Sequence, residues 1–215
     1  APDKKYSENY QSGPLSFEAI YKGNKIICNS GYFQNHSHKL NNISKSSVAH
    51  STLILNNKSA STFKKKNGQT ILENGLKSLN KNIVFEKNFW SIKGSHNGYL
   101  KEFGTIHERI LEFFPESNKI LGKDKLIKKK NFMSTSFEIR FHLMPNSKVT
   151  KTQDNRTVLI ELENSGWRFF TNHGLISVET GLYFGKKNTY SENQNIFISG
   201  DTQKEDQLIE WEISK

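Results

Sequence analysis

Residues 105–114 form an apolar run that also carries titratable side chains, and this combination narrows the folds open to the chain. Isoleucines and phenylalanines surround His107, Glu108 and Arg109. Polar groups inside a hydrophobic segment are costly unless they are hydrogen-bonded or serve a functional site. His107 and Arg109 are two residues apart, so a strand places both on one face. The run therefore predicts a largely buried strand with a polar pair.

Alternation continues elsewhere and favours an all-β fold. Residues 137–143, FEIRFHL, place apolar side chains on one face and Glu138, Arg140 and His142 on the other. Further short strands are expected at Leu175–Thr180 and Leu182–Gly185. Turns rich in Asn, Gly and Ser separate them, and no helical period stands out. The pattern predicts one antiparallel β-sandwich domain over residues 1–215.

Three segments are expected to be irregular. Residues 32–47 are a polar loop, and residues 56–82 are a long connection with little pattern. The lysine-rich stretch KKKNG at 64–68 within that connection predicts a solvated turn rather than a binding site.

Composition limits the partners. The net charge of +10 and the pI near 9.5 favour a polyanion, although most of the charge comes from lysine. No nucleic-acid-binding module surrounds the lysine runs, and no apolar run approaches transmembrane length. Cys28 is the single cysteine, so an internal disulfide is excluded and the compartment stays open. We expect no nucleic-acid partner and no membrane insertion; the oligomeric state is open.

Several polar residues are candidates for chemistry, each with a structural alternative. His107 with Arg109, and Arg140 with His142, offer a carboxylate-binding guanidinium beside an imidazole acid or base. The alternative is that neighbouring groups satisfy the first pair internally, while the second lies on a solvated outer face with cross-strand ion pairs.

The turn SHNGY and a histidine-rich loop supply further candidates. His96 and Tyr99 fit either a functional turn or a core that closes a hairpin. His36, His38 and His50 fit a zinc site by residue type, but no acidic residue lies near the first two in sequence.

An ordered set of stretches is similar to the C-terminal β-domain of heparinase II/III-like proteins. The set comprises PLSFEAIYKGNKIICNSG (14–31), VAHSTLIL (48–55), SHNGYLKEFGTIHER (95–109), LGKDKL (121–126), FEIRFHLMP (137–145) and GWRF (166–169). The resemblance implies a β-sandwich that follows a helical toroid, in proteins that cleave uronic-acid polysaccharides by β-elimination. It also implies an acidic polysaccharide as partner and a periplasmic or cell-envelope location.

This chain departs from the family pattern at the positions that hold a metal. An H-x-H-x-D segment is replaced by Asn9, Gln11 and Gly13, and an aspartate by Asn29, while His50 remains. Amides are poor zinc ligands, so no cofactor is expected.

The resemblance, together with the polar residues above, predicts the C-terminal domain of a polysaccharide lyase that forms one wall of the substrate cleft. The fragment alone is not expected to be active, because the toroid supplies the main catalytic residues. The predicted catalytic residues are His50, Tyr99, His107 and His142, and the predicted substrate-binding residues are His96, Arg109 and Arg140. The alternative is a non-catalytic domain that binds acidic carbohydrate or is structural.

Overall fold

The computed structural model describes residues 1–66, 68–174 and 176–215. Asn67, in the predicted lysine-rich turn, and Leu175, the predicted first residue of a strand, lie outside the described residues. The strands are β1 (Ala19–Tyr21), β2 (Asn24–Ile27), β3 (Leu53–Leu55), β4 (Thr62–Lys66), β5 (Gln69–Asn74), β6 (Ser78–Glu86), β7 (Phe89–His96), β8 (Thr105–Phe114), β9 (Lys119–Lys128), β10 (Ser136–His142), β11 (Lys148–Lys151), β12 (Thr157–Leu162), β13 (Ser165–Thr171), β14 (Ile176–Tyr183), β15 (Ser191–Asp201) and β16 (Gln207–Ser214). The helices are α1 (Lys39–Lys45) and α2 (Leu100–Phe103), with 3-10 turns at Lys4–Tyr6 and Ser47–Ala49.

Two antiparallel sheets form the sandwich. The larger has the strand order β11-β12-β13-β16-β9-β8-β7-β6, and the smaller has the order β14-β15-β10-β3. Two hairpins, β1-β2 and β4-β5, stand beside them. The predicted all-β antiparallel sandwich is therefore confirmed.

Aromatic side chains from both sheets meet in the core. The Phe141 ring of β10 lies with its centroid 4.6 Å from Phe169 on β13 and 4.7 Å from Trp211 on β16. All three side chains are buried. Burying an aromatic side chain of this size contributes about 1.5–3 kcal/mol, so these contacts are a major source of cohesion between the layers.

The segment that precedes β1 runs between the two sheets. The Phe17 ring stacks on Trp211 at 5.5 Å and meets the edge of Phe141 at 6.4 Å. Leu15 lies over Gly94, where an added Cβ would come within 2.7 Å of the leucine side chain. This segment therefore packs its partly buried apolar side chains against the core.

At the β6-β7 end of the larger sheet, the face that elsewhere packs on the core is exposed to solvent. Ile83 on β6 pairs with Ile92 on β7, which pairs with Leu111 on β8, and Leu111 packs against the core. Directly paired residues share a face, so the exposed Ile83 and Ile92 continue the core-facing surface. Phe85, which is 83% exposed, lies on the same face and pairs with Trp90. We call Ile83, Phe85, Trp90 and Ile92 the apolar apron.

Local structure departs from three sequence predictions. The segment 56–82, predicted to be a connection with little pattern, contains β4, β5 and the start of β6. The predicted polar loop contains α1, whose N-cap His38 accepts the Leu40 amide N–H through Nδ1 at 3.2 Å. The lysine-rich stretch is not a simple turn, because its three lysines belong to β4 and pair with β5. No helix in the described part of the chain is long and apolar enough to cross a bilayer.

Candidate functional site

The segment leading into β3 connects several of the predicted site residues. The Ser51 carbonyl accepts a hydrogen bond from Arg109 Nη1 at 2.6 Å, and its amide donates to Asn29 Oδ1 at 2.9 Å. Its hydroxyl donates to the Cys28 carbonyl at 2.6 Å and accepts the His142 amide N–H at 2.9 Å. The stretch that carries His50 is therefore bonded to β8, β10 and the strand region around Cys28.

Arg109 belongs to a buried ion pair with Asp124. Its Nε donates to Asp124 Oδ1 at 2.7 Å and its Nη2 to Oδ2 at 3.0 Å. Its Nη1 donates to the carbonyls of Ser51 and Leu15. The arginine is 2% exposed and the aspartate fully buried. The fork that was predicted to hold a substrate carboxylate thus holds a carboxylate of the protein itself.

A chain of two histidines ends on the same aspartate. The Gly98 amide donates to His96 Nδ1 at 3.1 Å, which fixes His96 with its proton on Nε2. His96 Nε2 then donates to His107 Nδ1 at 3.2 Å, and His107 Nε2 donates to Asp124 Oδ1 at 2.7 Å. Trp211 Nε1 completes the carboxylate shell at 2.9 Å. Each ring nitrogen has one partner when both histidines are neutral.

The ionisation of this cluster follows from burial and from charge. Burial alone would raise the pKa of Asp124, but the Arg109 guanidinium and the His107 bond outweigh it and hold that pKa well below its usual range. Burial lowers the pKa of His107, partly offset by Asp124, and lowers that of His96, where His107 and Arg109 act in the same direction. The cluster therefore contains one carboxylate, Asp124, and one guanidinium, Arg109, next to two neutral imidazole rings.

The remaining predicted catalytic residues are also internal. Tyr99 is 1% exposed, its hydroxyl donates to the Leu53 carbonyl at 2.9 Å, and burial raises its pKa. His50 is bonded through Nδ1 to the Ser46 carbonyl at 3.0 Å and packs against Gly13. Burial lowers the pKa of His50.

His142 lies close to His50, and one of its two ring nitrogens lacks a hydrogen-bond partner among the described residues. Its Nδ1 is 3.0 Å from the Ser30 hydroxyl, while its buried Nε2 has no hydrogen-bond partner among the described residues. Burial, with the charges of Arg140 and His50, lowers its pKa to about 3. Arg140 itself pairs with Glu138, at 2.6 Å from Nη2, and lies over the Phe197 ring. Arg140 therefore forms an ion pair within its own strand rather than across strands, and the buried His142 does not lie on a solvated face.

A polar surface pocket of about 500 Å³ is lined by residues from three separate segments of the chain. The N-terminal segment contributes Asn9 and Gln11, two of the positions where the chain departs from the family pattern. Tyr32 and His36 come from the stretch before α1, and Lys187 from the loop after β14. The Tyr32 hydroxyl accepts a bond from Asn41 Nδ2 at 3.2 Å, and the Tyr32 and His36 rings meet edge to face at 6.5 Å. We call this site the amide pocket.

The residues at the positions that hold a metal in the family pattern do not fit a zinc ion. The Asn29 oxygen already accepts the Ser51 amide, and Gln11 offers only an amide. Within the described ranges, no three His, Cys, Asp or Glu residues are grouped as metal ligands. His36, His38 and His50 are therefore not brought together as a group of three possible ligands in the described part of the chain, and His38 Nδ1 serves as the N-cap acceptor of α1.

The predicted site residues thus fall into two groups. One is a network of internal residues, and the other is Arg140 and His142 on one face of β10. His96, His107 and Arg109 form one cluster with two residues that the sequence analysis did not select, Asp124 and Trp211. An acidic residue at an inward position of the stretch GKDKL was the available signal for Asp124. The pocket residues Tyr32 and Lys187 had no such signal, because separate segments bring them together.

Comparison with known proteins identifies the family. The model for the heparinase II/III-like C-terminal domain matches residues 1–212. A crystal structure of heparan sulfate lyase HepC from Pedobacter heparinus superposes with a TM-score of 0.75 at 14% identity, and covers 95% of this chain and 30% of that protein. A structure of heparinase III gives a TM-score of 0.72 at 16% identity, with 94% and 29% covered.

These structural matches show the fold, and this chain spans less than a third of either lyase. No curated protein matches the sequence. Because the family model covers nearly the whole chain, the protein belongs to the heparinase II/III-like C-terminal family.

Proposed function

We propose that this domain forms one wall of a cleft that binds a uronic-acid polysaccharide, within a polysaccharide lyase. The observation that carries the proposal is the amide pocket, which joins Asn9 and Gln11 to Lys187 and His36 at the surface. Amides, a phenol and one ammonium group are suited to sugar hydroxyls and to a single carboxylate. The heparan sulfate lyase with the same fold supports the choice of an acidic polysaccharide.

Within the proposed cleft, Lys187 neutralises the uronate carboxylate, and Asn9 and Gln11 hold the hydroxyls of the same sugar. Neutralising that carboxylate favours removal of the proton on the adjacent carbon, the first requirement of β-elimination. The amides at these positions transfer no proton, and the Asn29 oxygen is already bonded to the backbone. We therefore assign the domain a binding and charge-neutralising role that needs no metal.

We assign proton transfer to residues outside this chain. His96, His107, Tyr99 and Arg109 are buried and bonded to one another or to backbone carbonyls, so they act as the scaffold that holds the β3 segment. The direct catalytic roles predicted for His107 and Tyr99 are replaced in this proposal by positioning roles.

The apolar apron is proposed as the docking surface for the N-terminal domain of the full-length protein. Its exposed Phe85 and Ile83 continue the core-facing surface, where apolar area is costly in water. The chain covers 30% of the HepC lyase, which leaves a large remainder to pack against such a face. Phe85→Asp should lower the stability of the longest natural chain more than that of the isolated domain; equal effects would contradict docking.

A pair of adjacent lysines tests the binding role. Lys187 lines the amide pocket and Lys186 does not. Lys187→Met should raise the Kd for an acidic oligosaccharide about fivefold, the size of one accessible charge pair, in calorimetric titrations of the isolated domain. Lys186→Met makes the same charge change and should have little effect. Equal effects of the two variants would mean that only net charge matters, which contradicts the assignment.

The second candidate function is a non-catalytic domain that binds acidic carbohydrate. The burial of His107 and Tyr99 and the engagement of Asn29 favour it. The two candidates differ in one product: elimination leaves an unsaturated uronate that absorbs in the ultraviolet, whereas binding leaves the polymer intact.

A further inference from the structure

A second pocket lies between the β4-β5 hairpin, α1 and α2, and has a volume of about 360 Å³. It shares no lining residue with the amide pocket. Its base is held by the Thr70 hydroxyl, which donates to Asn42 Oδ1 at 2.9 Å, and by Lys45 Nζ, which donates to the Thr70 carbonyl at 2.9 Å. The hairpin and α1 are thus fixed relative to each other, and the pocket between them is preformed.

Hydrogen-bond donors converge on this pocket. Ser61 lines it, is 2% exposed, and its hydroxyl has no partner among the described residues. Thr62 accepts the Asn74 amide at Oγ1, which leaves its hydroxyl hydrogen to donate. Asn42 accepts through Oδ1, which leaves its Nδ2 amide group to donate. A buried hydroxyl without a partner costs free energy that a ligand atom can recover after a small side-chain rotation.

The charge of the pocket is positive. Lys58, Lys64 and Lys65 line it together with one carboxylate, Glu102. Lys58 pairs with Glu102, and Lys64 lies 3.8 Å from Glu73. Lys65 forms no ion pair within the described part of the chain. An excess of donors and of positive charge selects anionic oxygen atoms over cations or apolar ligands.

We propose that this pocket, which we call the hairpin pocket, binds an anionic group of an acidic polysaccharide, a sulfate or a carboxylate. Lys65 and Lys64 supply the charge, and the Ser61 hydroxyl donates to an anionic oxygen. The half-buried ring of Phe63 lines the same pocket and offers a face for the sugar. The pocket is a second contact for the polymer; only the identity of the polymer rests on the proposed function.

The form of the pocket favours a glycan over a nucleic acid. Duplex binding spreads contacts over several phosphates along a surface. Here the donors line one pocket of about 360 Å³ together with a buried hydroxyl, which fits a single anionic substituent on a flexible chain. Sulfate and carboxylate share this chemistry, so the test uses polymers that carry one or both.

Two neighbouring lysines again provide a matched comparison. Lys65 lines the hairpin pocket, and Lys66, the next residue of β4, does not. We expect Lys65→Gln to raise the Kd for heparan sulfate oligosaccharides about fivefold, with Lys66→Gln close to the unsubstituted domain. Ser61→Ala should weaken binding about tenfold through loss of a bond to a charged group. The melting temperature of each variant shows that the domain is folded.

Binding of heparan sulfate, alginate and DNA shows which anionic group the pocket binds. It also separates a failure of the hairpin pocket from a failure of the proposed function. Stronger dependence on Lys65 with heparan sulfate than with alginate assigns sulfate, and the reverse assigns carboxylate; either supports the proposal. If heparan sulfate binds, and Lys65→Gln and Ser61→Ala leave its Kd unchanged while Lys187→Met raises it, the hairpin pocket is overturned and the amide pocket stands. If Lys187→Met also leaves the Kd unchanged, the proposed function fails separately. Tighter, Lys65-dependent binding of mixed-sequence DNA overturns the glycan assignment.

Discussion

Replacing Arg109 by methionine should destabilise the domain by about 3–5 kcal/mol, because it leaves a buried carboxylate without its counter-charge. Asp124 is fully buried and accepts four hydrogen bonds, two of them from Arg109. The substitution also removes the donors to the Ser51 and Leu15 carbonyls. The methionine fills most of the side-chain volume, so the loss is chiefly electrostatic. Urea unfolding followed by tryptophan fluorescence gives the free energy.

The pH dependence sharpens this prediction. In the unsubstituted domain the folded pKa of Asp124 lies below the unfolded value, so its stabilising contribution is present above about pH 4 and is lost as the pH falls. Without Arg109, burial dominates and raises the folded pKa above the unfolded value. The penalty is then largest at neutral pH and is relieved by protonation at lower pH. The difference in unfolding free energy between the two proteins should therefore shrink on acidification.

A double variant separates the charge from the packing. Arg109→Met with Asp124→Leu removes both charges, so its loss should be smaller than that of Arg109→Met alone. The reasoning is refuted if Arg109→Met costs less than about 1 kcal/mol, which an exposed pair would give. Additive losses in the double variant would refute it as well.

Two further predictions concern His142 and Gly122. The folded pKa of His142 is about 3 and the unfolded value about 6.5, so the unfolded state binds more protons between them and stability falls as the pH falls through that window, by up to about 1.4 kcal/mol per pH unit. In urea titrations at about pH 7.5 and pH 5, His142→Asn should lose less stability than the unsubstituted domain; equal losses would contradict the assignment. Gly122→Ala should cost about 3 kcal/mol in thermal unfolding, because the new Cβ would lie 2.0 Å from Trp211 Cζ2, whereas Gly166→Ala, with no atom within 4 Å, should change stability little. Similar losses of stability at the two glycines would show that strand propensity, and not the contact with Trp211, determines the cost of the substitution.

The sequence predicted the fold class because the strand signal is local. Alternation over residues 137–143 marks a strand with one buried face, and the structure has Phe137 and Phe141 in the core with Arg140 on the other face. The pairing of His107 and Arg109 on one face also follows from a period of two. The choice between a functional pair and an internally satisfied pair did not follow, because it depends on register.

Register and tertiary contacts account for the residues that sequence reasoning missed. Asp124 meets Arg109 because β9 pairs with β8 in that register, and Trp211 arrives from β16. The helix α1 has seven residues and is fixed by the packing of Leu40 with Phe33 rather than by a strong period. The sequence of the β4 lysines is typical of a solvated turn, and only their pairing with β5 identifies them as part of a strand. Each of these features requires knowledge of which segments meet.

The most direct test of the account is an elimination assay on the longest natural chain that contains this domain. Ultraviolet absorbance should rise when that chain is incubated with a uronic-acid polymer such as heparan sulfate or alginate. Lys187→Met should lower kcat/KM severalfold, about the effect of one lost charge contact, while Lys186→Met should not. An absence of any rise on every uronic-acid polymer, with the chain folded and able to bind them, would contradict the lyase assignment and leave a carbohydrate-binding domain.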